Sequence, residues 1–208
     1  MSTAIMPTAI APPPPYTIPI SSIRRLSVDE YHAMIANEIL KSSDRVELIN
    51  GYLVEKMTFN PPHRSAVKLV RDALNRILTT GWYEDSQGPF ELATSQPEPD
   101  VMLVRGQVRD HFHRHARPDE IGLLIEVADT SLAFDQRLKL RIYAEASIPV
   151  YWIVNIPDNR IEVYTLPQGT GDDALYVQQQ SYTPTQDIPV VLDGVEIGRL
   201  RVADLLPR

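Results

Sequence analysis

The stretches QPEPDVMLV, residues 96–104, and GLLIEVADTS, residues 122–131, decide the fold of this chain. Each is built like a buried β-strand, and each has one carboxylate within its apolar run, Asp100 or Glu126. An ionised carboxylate in such surroundings is costly unless it is paired or bound to a cation. Because acids on successive strands of one sheet can converge, Asp100 and Glu126 predict a magnesium site completed by water. Taken singly, each acid has a structural alternative to metal binding. Asp100 could belong to a strand-entry turn with Pro99, and Glu126 could pair with an arginine.

Further helices and strands surround these two stretches. Ser27 and Glu30 form a capping-box pattern that opens a helix, and Asn50-Gly51 supplies the tight turn of a hairpin. From residue 160 onward, short strands alternate with turns. This order predicts an α/β or α+β domain with an N-terminal helix and hairpin and a β-rich C-terminal extension. The predicted elements are a helix over 27–40, a hairpin over 45–57, a helix over 61–81, strands near 89–94, 99–105 and 122–128, a loop over 106–121, a helix over 135–146 and a strand over 150–155.

Composition limits the class of protein. The 208 residues suit an extended proline-rich arm, residues 1–25, followed by a single domain, residues 26–208. A net charge of −7 and a pI near 5.2 argue against indiscriminate nucleic-acid binding. The lack of cysteine excludes disulfides and thiolate metal sites. No apolar run approaches the roughly 18 residues of a membrane span, and the N-terminus lacks the basic segment of a secretory signal, so we expect a cytoplasmic protein.

A lysine follows the two acids on the helix predicted over 135–146. Asp135, Lys139 and Tyr143 are spaced four residues apart, so they lie along one strip of that helix. Lys139 also stands at the edge of the apolar face, from which its ammonium could reach the acids and steady an attacking hydroxide or a phosphoryl oxygen. The alternative is a surface ion pair between Asp135 and Lys139.

The order VELINGYLVEKM, PPH, PEPDVMLV, LLIEVADTS and YAEASIPVYWIVN resembles a bacterial restriction endonuclease family long catalogued as a domain of unknown function. That family belongs to the PD-(D/E)XK nuclease superfamily, and the resemblance covers about residues 27–207. It implies a restriction-endonuclease-like mixed central sheet flanked by helices. It also implies that Asp100 and Glu126 bind Mg²⁺, with Mn²⁺ as a substitute.

The resemblance bears on the other candidate residues as well. In the superfamily a lysine follows the glutamate by two positions, but this chain has Ala128 there. In the family the lysine lies on the following helix instead, and this position matches Lys139. Position 129 is aspartate where the family usually has serine. Glu47 matches an acid of the family's hairpin, with a solvent-facing strand residue as the alternative. His63 stands where the family has a histidine, and a structural histidine bonded to the backbone is its alternative.

His111, His113 and His115 alternate in the polar segment 106–121. On a strand they would share a face and could bind a transition metal. In an exposed loop they would simply be solvated.

Together these residues predict a magnesium-dependent endonuclease that hydrolyses DNA phosphodiester bonds. Asp100 and Glu126 would hold the metal, and Lys139 would stabilise the attacking water and the transition state. The rival is a catalytically inactive nuclease-fold binding or assembly module, which Ala128 and the net charge favour. A small-molecule hydrolase with paired carboxylates is a third interpretation, but no Gly-x-Ser-x-Gly elbow is present. Restriction-type nucleases that cut both strands commonly dimerise, so we expect a two-fold symmetric homodimer.

Overall fold

The computed structural model describes residues 18–56, 60–86 and 88–207, and residues 1–17 of the predicted arm lie outside it. The division into an arm and one domain stays a prediction. The helices are α1 (Val28–Ala36), α2 (Pro61–Asn75), α3 (Leu132–Phe134) and α4 (Leu140–Glu145), with a π-helical segment (Asp135–Lys139) between α3 and α4. The strands are β1 (Val46–Ile49), β2 (Tyr52–Glu55), β3 (Trp82–Asp85), β4 (Val101–Arg105), β5 (Ile121–Ala128), β6 (Val150–Asn155), β7 (Arg160–Gln168), β8 (Leu175–Tyr182), β9 (Asp187–Leu192) and β10 (Val195–Arg201).

A mixed sheet in the order β3-β4-β5-β6-β7-β8 forms the centre of the described part of the chain. β5 and β6 pair in parallel, and the other neighbours pair antiparallel. A parallel pair needs a crossover connection, and the segment from α3 through α4 provides it. The predicted α+β fold with a mixed central sheet is confirmed. Among the described residues, none of the helices combines the length and apolar character that a membrane span needs.

Both faces of the sheet are covered, which explains the near-continuous apolar sequences of β5 and β6. Alternate residues of β5 face opposite layers. Leu123 and Ile125 pack in the layer that contains α2 and the β9–β10 hairpin, whereas Leu124 and Ala128 pack in the layer that contains α4. Glu126 therefore points into the α4 layer, where its partners must come from the crossover segment.

The N-terminal helix and hairpin follow their sequence signals. Ser27 and Glu30 form the predicted capping box at the start of α1. Asn50 and Gly51 connect β1 and β2 with φ angles of 49° and 79°, the left-handed values that a tight hairpin turn requires. The last residue of the predicted hairpin, residue 57, lies outside the described part of the chain.

The strand predicted near 89–94 is wrong. No strand forms in this segment, because Phe90 donates its N–H to the Pro97 carbonyl and the chain turns back on itself. β4 pairs instead with β3, which lies directly after the turn that follows α2, with Trp82 opposite Arg105. The residues of β3 lie between the helix predicted over 61–81 and the strand predicted near 89–94, and no element was predicted for them.

The C-terminal β-rich segment divides into two parts. β7 and β8 complete the central sheet, and β9 and β10 form a separate two-stranded hairpin. Ile188, Val190 and Leu192 of this hairpin belong to the core beside α2. The segment is therefore part of the packed domain rather than an appendage to it.

Gly122, near the start of β5, occupies a position where a side chain would collide with its neighbours. A Cβ atom here would lie 2.6 Å from Cη2 of Trp82 and 2.8 Å from Cδ2 of Leu192. Because the indole ring and the leucine would have to move, we expect Gly122→Ala to lower the free energy of unfolding by roughly 1–3 kcal/mol. Urea unfolding measures this loss.

Gly198→Ala is the matched control, since it also adds one methyl group to a strand glycine. The nearest atom to its new Cβ would be Cδ1 of Ile77 at 3.3 Å, so a small adjustment suffices. We expect a smaller loss of stability for this variant. Equal losses in the two variants would contradict the close packing of Trp82 on β5.

Candidate active site

A cavity of about 310 Å³ lies at the end of the sheet where β4 begins and β5 ends. Among the described residues, seven carboxyl groups and two lysines line it, and this excess of negative charge favours a cation. The acids are Glu47, Glu55, Glu98, Asp100, Glu126, Asp129 and Asp135, and the lysines are Lys56 and Lys139.

Asp100 is buried immediately before β4, and one of its two oxygens is fixed by neighbours. Oδ2 accepts the N–H of Val127 at 2.8 Å and lies 3.1 Å from Nε2 of His63. Oδ1 accepts no hydrogen bond from the described residues. This arrangement orients Asp100 rigidly and leaves one carboxylate oxygen available to a ligand.

Glu126 extends from β5 and is held in a similar way. Its Oε1 accepts hydrogen bonds from the Tyr143 hydroxyl at 2.6 Å and from Nζ of Lys139 at 2.9 Å. Oε2 has no hydrogen-bond donor within the described ranges. The predicted arginine partner for Glu126 is wrong, because a lysine occupies that position.

Burial dominates the protonation of Glu126. Burial raises the pKa of Glu126 to about 8, an effect that nearby Lys139 opposes and that the Asp100 and Asp135 carboxylates reinforce. Burial and the neighbouring Glu126 also raise the pKa of the Tyr143 phenol well above its ordinary value, so the phenol keeps its proton and donates a hydrogen bond to the carboxylate.

Lys139 lies among three acids. Its ammonium is buried, 2.9 Å from Glu126 and 3.4 Å from Oε1 of Glu47. Burial alone would lower the pKa of Lys139, but the carboxylates of Glu126, Glu47 and Asp135 outweigh that effect and raise it. The neighbouring carboxylates therefore favour the charged form of the lysine. The sequence analysis placed its amine within reach of the acids on the sheet, and the structure confirms that contact.

The π-helical segment sets the direction of Lys139. Asp135, Lys139 and Tyr143 are all buried, so the alternative of a surface ion pair between Asp135 and Lys139 is wrong. Burial raises the pKa of Asp135 to about 6, and Ser131 donates its hydroxyl to Oδ2 of Asp135 at 2.5 Å. π-helical turns are rare and are found frequently at functional sites.

The segment is also attached to the sheet. Gln136 donates its amide to both carboxylate oxygens of Glu162 on β7, at 3.1 and 2.9 Å. Glu162 is completely buried and accepts a further hydrogen bond from the Tyr164 hydroxyl at 2.6 Å. These bonds fix the π-helical segment above β7.

Glu47 and His63 complete the predicted set. Glu47 on β1 is buried, and its Oε2 accepts the N–H of Glu98 at 3.0 Å, so the solvent-facing alternative is wrong. His63 lies in the first turn of α2 and contacts Asp100. The five residues predicted from the sequence thus lie around one cavity, on β1, α2, the entry to β4, β5 and the π-helical segment.

Asp135, Tyr143 and Asp129 were not predicted as site residues. The four-residue spacing of Asp135, Lys139 and Tyr143 was the signal that could have identified the first two. Asp129 lines the cavity and accepts a hydrogen bond from the amide of Asn60, the residue that caps α2. No sequence signal pointed to Asn60, because its partner is 69 residues away.

The histidine run lies elsewhere. His113 and His115 are exposed in the loop between β4 and β5, at the far end of these strands from Asp100. His111 is not solvated as expected, because it contacts the Tyr83 hydroxyl at 3.0 Å and Glu120 at 3.2 Å. Within residues 18–56, 60–86 and 88–207, no group of three or more His, Asp or Glu side chains forms a complete metal cluster.

A solved structure places this architecture in a known class. The crystal structure of "a putative nuclease belonging to DUF820" from Anabaena variabilis is similar, with a TM-score of 0.62 and 13% sequence identity. The match covers 86% of this chain and 97% of that chain. At this level of identity the likeness shows the fold alone, which is a nuclease-like fold.

The family follows from the sequence match. The model of the Uma2 family, described as "Putative restriction endonuclease", matches residues 28–202. The chain therefore belongs to the Uma2 family, as the resemblance in its motifs predicted. A search of the curated proteins gave no match.

The raised pKa of Glu126 predicts a pH dependence of stability. The folded-state pKa of about 8 exceeds the ordinary value of 4.5, so the folded state binds this proton more tightly than the unfolded chain. The resulting stabilisation is complete below pH 4.5 and is lost as the pH rises through about 8. In metal-free buffer, the free energy of unfolding should fall over this window by up to about 1.4 kcal/mol per pH unit.

Glu126→Gln is the control, because glutamine keeps an acceptor for Tyr143 but does not titrate. Denaturant unfolding of both proteins between pH 5 and 9 gives the comparison. The wild-type free energy should fall more steeply with pH than that of the variant. Parallel curves would show that Glu126 is already ionised throughout.

Proposed function

We propose that this Uma2 protein is a Mg²⁺-dependent endonuclease that hydrolyses DNA phosphodiester bonds, with Mn²⁺ as a substitute. The observation that supports this proposal best is the contact between Lys139 and Glu126 beside Asp100 in one acidic cavity. Acids that hold a hard cation, next to a fixed ammonium, suit the charge that develops when a phosphate diester is attacked.

The carboxylates fit Mg²⁺. This ion is usually held by one or two carboxylates and retains several waters, so a complete protein cage is unnecessary. Asp100 Oδ1 and Glu126 Oε2 are the free oxygens that would hold it. When bound, the ion would neutralise charge on the scissile phosphate and lower the pKa of a bound water.

The remaining residues have roles that follow from their contacts. His63 and the Val127 N–H orient Asp100, and Tyr143 orients Glu126. Lys139 would stabilise the negative charge of the attacking water and of the phosphoryl oxygens, and Glu47 also contacts its ammonium. In the reaction, the water oxygen bonds to phosphorus as it loses a proton. The bond from phosphorus to a sugar oxygen breaks, and that oxygen takes up a proton.

The rival is a nuclease-fold module without turnover. Ala128, where the superfamily has lysine, and the net charge of −7 favour it. Against it, the ammonium of Lys139 reaches Glu126 from the crossover segment. This ammonium supplies the charge that Ala128 lacks. We therefore rank the enzyme above the inactive module.

Cleavage of mixed DNA substrates with and without Mg²⁺ or Mn²⁺ tests the proposal. We expect metal-dependent cleavage by wild type and none by Asp100→Ala or Glu126→Ala. Lys139→Met keeps the apolar stem and removes the charge, and it should lower the rate about 10²-fold or more. Lys41→Met, at an exposed position, is the control with unchanged cleavage.

Melting temperatures separate metal binding from catalysis. Mg²⁺ should raise the melting temperature of wild type and of Lys139→Met but not of Glu126→Ala, because only the last loses a ligand. Equal stabilisation of Glu126→Ala would mean that the ion binds elsewhere. Metal binding without cleavage of any DNA substrate would favour the inactive module.

The homodimer remains a proposal, and strand β8 supports it. β8 lies at one edge of the central sheet, has no charged residue or proline, and exposes Leu175 and Val177. Exposed edges without such protection tend to pair with another strand. The opposite edge, β3, is four residues long and contains Glu84 and Asp85. Two β8 strands related by a two-fold axis would pair antiparallel.

Light scattering at micromolar concentration should therefore give a dimer for wild type and a monomer for Val177→Lys. Val195→Lys is the control, because it places the same charge at an exposed valine on β10. A monomeric wild type would refute the dimer. Dimers for both variants would place the contact away from β8.

A further inference from the structure

The exposed face of α2 begins beside the acidic cavity. Asn60 caps the helix by accepting the N–H of His63, and the His63 ring contacts Asp100 at 3.1 Å. The buried side of the helix, which includes Val67 and Val70, packs against the sheet and fixes its orientation. A ligand that lies along the outer side of α2 therefore reaches the cavity directly.

Three cations follow one line on this outer side. Arg64, Lys68 and Arg71 are separated by four and three residues, so they lie on the same face of the helix. They span about 10 Å along the helix axis at 1.5 Å per residue. Arg64 and Lys68 are exposed and form no ion pair with any described residue, whereas Arg71 contacts Glu84 at 2.8 Å.

This line is distinguished by its position on α2 beside the acidic cavity. Exposed arginines elsewhere, such as Arg105 and Arg199, are paired with carboxylates of the same chain. The chain has a net charge of −7, and its cavity is acidic. Arg64 and Lys68, which pair with no described carboxylate, therefore form a local positive surface beside that cavity on a negative protein.

We propose that Arg64, Lys68 and Arg71 bind the phosphate backbone of the DNA strand that leads into the cavity. The inference rests on the proposed function, because it assumes that the cavity receives a DNA phosphate. A line of about 10 Å along one strand is long enough to contact about two successive phosphates. Contacts of this kind position the strand without reading its sequence.

The salt dependence of binding provides the test. We would measure the affinity of the full chain for labelled duplex DNA at several salt concentrations in Mg²⁺, in an Asp100→Asn background that prevents cleavage. Each lost phosphate contact should reduce the slope of log K against log salt by about one. We expect Arg64→Gln/Lys68→Gln to reduce the slope by about two and to weaken binding roughly tenfold or more at moderate salt.

The control is Lys41→Gln/Arg76→Gln, which removes the same charge from two exposed residues outside this line. Its slope should equal that of the Asp100→Asn parent. Equal losses in both double variants, or an unchanged slope for the α2 pair, would overturn the inference while leaving cleavage by wild type intact. A protein that binds no DNA would refute both the inference and the proposed function. Competition by polyglutamate as effective as that by DNA would overturn the inference in favour of an acidic protein partner.

Discussion

The buried hydrogen bond from Lys139 to Glu126 is the contact on which the other features of the site depend. Both groups are removed from water, which costs several kcal/mol per ion unless close partners compensate. Here the compensation comes from the Tyr143 hydroxyl and the Glu47 carboxylate, so four side chains from β1, β5, the π-helical segment and α4 must meet. Removing one member of such a group would leave the others buried and unpaired. Stability and the chemistry of the cavity therefore depend on the same atoms.

The acidic character of the cavity has a related cause. Seven carboxyl groups around one small volume repel one another, and among the described lining residues Lys139 and Lys56 are the lysines that offset them. The domain maintains this arrangement by bonding one oxygen of an acid to the scaffold, as the Val127 N–H does for Asp100 and the Glu98 N–H does for Glu47. The structure thus has a concentration of carboxylates beside a helix face on which Arg64 and Lys68 form no ion pair with any described residue.

Prediction from the sequence succeeded where the signal was local or continuous. β4, β5 and β6 were predicted almost to their ends, because strands covered on both faces are apolar throughout. Asp100 and Glu126 were found because they interrupt those runs, and Lys139 because its helical spacing turned it toward the sheet. β3 was missed because Trp82 and Tyr83 belong to a four-residue strand whose pairing with β4 is not visible locally. The Asp129–Asn60 contact and the π-helical turn depend on tertiary packing, which no local pattern encodes.

The π-helical turn has a consequence for how this chain tolerates change. In a regular helix, successive residues are rotated by about 100° around the helix axis. The wider π-helical turn over Asp135–Lys139 has a smaller rotation per residue, in the middle of the crossover segment. The direction of Lys139 is therefore set by the number of residues between Ser131 and Tyr143 as well as by their identity. A deletion of one residue there would leave the composition and the apolar face almost unchanged. It would nevertheless turn the ammonium away from Glu126, so the Lys139–Glu126 contact depends on the length of this segment.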